Sequence, residues 1–201
     1  MVIEKLQSLR SGSRLIGVGL YAGHLLIRSG LKLSGRSSED FHQTRIGRGG
    51  APFIIRKLLT LDGDTPHPLS GFHSWARDSG ADELAQGWNM MRGEMVFDGW
   101  RALEPDEHQE FLETIGPFLA VYWQAGPGSR PPGLLGSYQI AYHLGLGDET
   151  VEERYLQKAA MDIGDYYNSG VVARAKRIGR LIRTTGQRKW SAAWMTNGVV
   201  E

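Results

Sequence analysis

Four residues between Leu61 and Ser74 are of the types that hold metals or move protons: Asp62, Asp64, His67 and His73. Carboxylates and imidazoles converging from a Gly/Pro-rich loop can ligate a divalent ion or share acid–base work. The spacing does not follow a calcium loop. Counted from Asp62, His67 falls at the sixth position, where glycine is needed, and His73 at the twelfth, where a bidentate glutamate is needed. Asp is also an ordinary turn residue, so the competing reading is a solvated loop. Glu94 and Asp98 stand four residues apart, and Glu107 adjoins His108. The acids from Glu94 to Glu113 are dense enough to read as a water-facing surface. The chain has no Cys, which removes thiolate metal sites and a Cys nucleophile. It also has no G-x-S-x-G elbow, phosphate-binding Walker loop or H-E-x-x-H pair. No metal or cofactor is specified by the spacing.

The second chemical feature is electrostatic. Val171, Ala175, Ile178 and Ile182 recur at helical spacing, and Arg174, Lys176, Arg177, Arg180 and Arg183 occupy the other half of the same segment. Arg188, Lys189, Trp190 and Trp194 follow. Clustered cations release counterions on phosphate surfaces and gain about 1 kcal/mol each near an anionic membrane. Tryptophans beside them can stack on bases or lie at a headgroup interface. Residues 166–201 therefore read as a basic C-terminal helical segment. The leading expectation is a non-enzymatic binding or assembly protein meeting an anionic macromolecule or a membrane surface there. An enzyme with a metal-assisted or acid–base site on the 61–74 loop is the alternative, and a structural subunit of a larger complex is the third.

Leu15 to Ile27 is uncharged and flanked by Arg14 and Arg28. It is shorter than the roughly 20 residues of a membrane span, and no small-x-small cleavage pattern follows. It is expected to be a buried helix, or a segment that inserts into a protein partner. Gly17, Gly19 and Gly23 approach the spacing of a dinucleotide-binding turn without a strand before them or a second βαβ unit after. They suit close helix packing equally well. A cytoplasmic protein, peripheral to a membrane if a membrane is its partner, is the expectation.

The elements that must carry these groups are mostly helical. Residues 34–52 are polar and rich in Gly and Arg, and read as a flexible loop or linker. Phe53 to Leu61 is apolar and ambiguous in type. Ser79 reads as an N-cap with Asp82 in a capping-box-like position, followed by a stripe of Leu84, Trp88, Met91 and Met95. Glu104-Pro105-Asp106-Glu107 opens another helix, which Pro117 should kink or split near Ile115. After a G-P-G-S-R-P-P-G loop, Leu134 to Leu146 resumes as helix. Thr150 and Glu153 form a capping box for a helix from Val151 to about Ile163, with Tyr155, Leu156 and Ala159 inward. Charge is uneven: residues 1–58 carry ten Lys/Arg against three Asp/Glu, and residues 78–113 carry two against ten. The chain thus reads as a mainly α, single globular domain over 1–201, with five to seven Gly-interrupted helices and long Gly/Pro loops.

Overall fold

The computed structural model describes residues 2–63, 67–143 and 150–168. The fold is mainly helical, as the sequence indicates. Among the described residues, seven α-helices and two small sheets alternate. Helix α1 (Val2–Leu33) leads into an antiparallel hairpin of β1 (Asp40–Ile46) and β2 (Pro52–Leu58). Helices α2 (Gly71–Ser79) and α3 (Gly87–Arg92) are joined by a 3-10 turn, Ala81–Gln86. After β3 (Val96–Asp98) come α4 (Pro105–Thr114) and α5 (Gly116–Ala125). Then follow β4 (Gly133–Leu135), parallel to β3, and helices α6 (Ser137–His143) and α7 (Val151–Tyr167).

Two sequence signals act as local physics requires. Pro117 ends one helix and starts the next, and the break falls at Ile115–Gly116, where Gly116 takes a φ of 78°. Thr150 Oγ1 accepts from Glu153 N at 3.3 Å, while Glu153 Oε2 accepts from Thr150 N at 2.8 Å. That reciprocal cap starts α7, which runs through Gly164 to Tyr167 rather than ending near Ile163.

Other expectations are corrected. Residues 34–52 are not a flexible linker, because Asp40–Ile46 pairs in register with β2, from Asp40↔Leu58 to Ile46↔Pro52. The polar side chains of β1 hid its alternation: Asp40 turns towards α1, where His24 Nε2 lies 3.0 Å from Asp40 Oδ1 and Arg28 Nη1 donates to Asp40 Oδ2 at 3.0 Å. Ser79 ends α2 instead of capping the next helix, its hydroxyl donating to Trp75 O at 2.8 Å. The loop read over 61–74 gives way to helix at Gly71. Leu156 is exposed, whereas Ala159 is buried.

Leu15–Ile27 lies within α1 and is not the fully buried helix expected. Leu15, Val18, Leu25 and Leu26 face outward, and Leu33 ends the helix 90% exposed. The opposite face packs on α3 at backbone distance. A Cβ added to Gly87 would lie 2.5 Å from Gly17 O, and one added to Gly17 would lie 2.7 Å from Gly87 O. Gly17 therefore serves helix packing and no nucleotide turn. Gly87→Ala is expected to push the helices apart and cost about 1–3 kcal/mol, read as a lower urea midpoint with an unchanged m-value.

The largest core cluster joins α4, α5 and α7 through Trp100, Phe111, Ile115, Trp123 and Ala159. Lys158 lies within it, 2% exposed, with Nζ 5.0 Å from the centre of the Phe111 ring and 5.6 Å from that of Trp123. Its charge is answered by Asp162, which also accepts from Trp123 Nε1 at 3.1 Å. One turn on, Asp165 accepts from Ser137 N at 3.1 Å and from Ser137 Oγ at 2.8 Å, so α7 caps the N-terminus of α6.

Candidate active site

A cavity of about 260 Å³ opens between the β1–β2 hairpin, the 3-10 turn and the β4–α6 segment. Its elements meet for reasons visible in the chain. Alternation along the hairpin puts Phe41, Gln43 and Lys57 on the cavity face, with Phe41 and Lys57 directly paired across the strands. Gly80, at φ 73°, ends α2 and turns the chain so that Ala81 to Gln86 pack on β2. The Asp165 cap fixes the start of α6, from which Gln139 and Ile140 line the wall.

The polar wall consists of Lys57, Arg77, Arg101, Asp82 and Glu83. Lys57 Nζ donates to Glu83 Oε1 at 2.8 Å, and Arg77 Nη1 donates to Thr60 Oγ1 at 3.4 Å. Asp82 is 8% exposed. Burial pushes its carboxyl up, the neighbouring Glu83 pushes further, and Lys57 and Arg77 pull back, leaving it at about 7. A carboxyl that changes charge near neutrality, beside three cations in a cleft, is the arrangement expected of a group that attacks, or exchanges protons with, an anionic substrate. The cations favour phosphate, whose charge they offset as it is drawn out of water.

The residues singled out in the sequence fall differently. Leu61 and Gly63 of the 61–74 loop line the cavity, but Asp62 and His67 are exposed, with Asp62 N donating to His67 O at 3.1 Å. His73 is buried in α2, its Nδ1 2.8 Å from Ser70 Oγ and its Nε2 3.1 Å from Ser37 O. Asp64 lies outside the described residues. No three His, Asp or Glu side chains among the described residues converge as metal ligands. Arg174, Lys176, Arg177, Arg180, Arg183, Arg188, Lys189, Trp190 and Trp194 also lie outside the described residues. Sequence reasoning missed Asp82, Glu83, Lys57, Arg77 and Arg101. The usable signal was A-D-E-L-A at 81–85, two adjacent acids between apolar residues that can be buried.

No family model matches the chain. It is 34% identical over 171 residues to a UDP-glucose:undecaprenyl-phosphate glucose-1-phosphate transferase of Caulobacter vibrioides, a match taking in 79% of this chain and 61% of that one. A protein of the same name from Xanthomonas campestris pv. campestris is 26% identical over 161 residues, covering 74% of this chain and 31% of that protein. The chain thus spans about three fifths of the first relative's length and about a third of the second's. These likenesses overturn the expectation of a non-enzymatic binding or assembly protein, because both relatives are named as transferases.

Proposed function

We propose that this chain is the catalytic part of a sugar-phosphate transferase, moving a sugar 1-phosphate from a UDP-sugar to the phosphate of a polyprenyl lipid. The observation that carries the reading is Asp82, a carboxyl 8% exposed in a cleft lined by Lys57, Arg77 and Arg101. In the transfer, the phosphorus next to the sugar gains a bond to the lipid phosphate oxygen. It loses its bond to the oxygen bridging to UMP, and that electron pair leaves with UMP. The cations offset the charge that gathers on the phosphoryl oxygens. Asp82 can act by attacking phosphorus itself or by taking the acceptor's proton. Mixing the protein with UDP-glucose and undecaprenyl phosphate should release UMP and form the lipid diphosphate sugar. UMP released in a stoichiometric burst before lipid is added assigns attack by Asp82, and release only after lipid assigns proton transfer. No UMP in either case sinks the transferase reading.

The lipid acceptor named for the relatives favours a membrane surface, rather than nucleic acid, as the anionic partner. No helix among the described residues is long and apolar enough to cross a membrane. The outward face of α1 supports contact in the plane of the surface, since Leu15, Val18, Leu25, Leu26 and Leu33 are exposed together. The basic segment from Arg174 to Lys189 would add attraction to anionic headgroups. Leu15→Asp with Leu26→Asp is expected to cut binding to anionic vesicles at least tenfold, measured by cosedimentation, while leaving the melting temperature nearly unchanged. Unaltered binding would remove α1 from the interface.

A further inference from the structure

We infer that the apolar wall of the cavity seats the isoprenoid chain of the acceptor and that Phe41 selects it. This rests on the transferase reading above. The apolar lining includes Phe41, Leu59, Leu61, Leu134, Leu135 and Ile140. Five of these six are branched aliphatics, which match the methyl-branched surface of an isoprenoid.

A pyrimidine needs edge-on hydrogen bonds, and the amides at this wall are engaged only in part. Gln43 Oε1 accepts from Arg45 at 2.6 Å, and Gln139 Nε2 donates to Leu134 O at 3.2 Å. Thr60 Oγ1 accepts from Arg77. Gln139 Oε1 is buried without a hydrogen-bond partner among the described residues, so UDP-glucose is the competing ligand that the binding test must separate from the isoprenoid.

The register fixes the order of groups along the acceptor. Phe41 pairs directly with Lys57, so its ring begins where the ionic wall ends. A phosphate at Lys57 and Arg77 therefore places its first isoprene unit on Phe41. Phe41 is 41% exposed with no ligand present, which leaves a ring half in water for a lipid chain to cover.

The test is binding, so it does not depend on turnover. Wild type, Phe41→Ser, Phe41→Leu and Leu61→Asn are titrated with farnesyl phosphate, inorganic phosphate and UDP-glucose. Phe41→Ser and Leu61→Asn should weaken farnesyl phosphate about tenfold, with inorganic phosphate and UDP-glucose within about twofold of wild type. Phe41→Leu should restore most of the loss. In turnover the same variants should raise KM for undecaprenyl phosphate and leave KM for UDP-glucose unchanged. If both variants weaken UDP-glucose instead, or weaken neither ligand, the assignment of the wall is wrong. Wild-type binding with the expected selectivity but no UMP release would sink the transferase reading and leave the isoprenoid site standing.

Discussion

Asp82→Asn is expected to abolish transfer, lowering kcat/KM by on the order of a thousandfold or more, as loss of a group acting on the reacting atoms does. The same change should make the protein more stable at pH 8. Burial and Glu83 raise the Asp82 carboxyl from 3.8 to about 7 in the fold. A raised carboxyl contributes stability that is fully present below its unfolded value and is lost as pH rises through its folded value. Above pH 7 the native state therefore holds a poorly solvated charge, and a neutral isostere relieves it by up to about 4 kcal/mol, the free energy of moving a carboxyl from 3.8 to about 7. Below pH 4 the two proteins should unfold alike. Wild-type kcat/KM should fall tenfold per pH unit below about 7, since the carboxylate form is the active one. Denaturant curves at pH 4 and 8, beside a pH–rate profile, check all three. A variant that loses activity and stability together at pH 8 would show that Asp82 serves the fold.

Asp162→Ala should have the largest effect on stability. The substitution leaves the Lys158 ammonium in an aromatic box with no counterion and takes the acceptor from Trp123 Nε1. Breaking a buried pair in this way costs about 3–5 kcal/mol, or a drop of roughly 10 °C in Tm for a domain of this size. Lys158→Met combined with Asp162→Leu should recover most of the loss, because both charges then leave the core together. A double variant no better than Asp162→Ala would assign the effect to lost packing.

What was legible in the chain follows from how local each signal is. Pro117 and the Thr150–Glu153 box act within one helical turn, and they set the break after α4 and the start of α7 as read. The hairpin was hidden because its alternation is carried by Asp40, Gln43 and Arg45, side chains that find buried or half-buried partners only once the fold has formed. The uncharged run of Leu15 to Ile27 gave no hint that one face would stay exposed, since its residues are alike all round the helix. The active site was hidden more deeply. Asp82 looked like a capping residue because Ser79 precedes it by three, and only the Gly80 turn and the packing of β2 make it a buried acid. Lys57 and Arg101 are far apart in sequence, and no spacing rule joins them.

The burial of Lys158 has a use in protein chemistry. Its ε-amine lies among Trp100, Phe111 and Trp123, whereas Lys32 is exposed and Lys57 half-buried. An amine-acylating reagent should modify Lys32 at the rate of a free lysine and reach Lys158 only during excursions that separate α7 from α4 and α5. The acylation rate at Lys158, read peptide by peptide in a mass spectrometer, is thus a clock for the opening of this core. Slowing of that clock when farnesyl phosphate is added would measure how far a ligand in the cavity holds α6, and through Asp165 helix α7, in place.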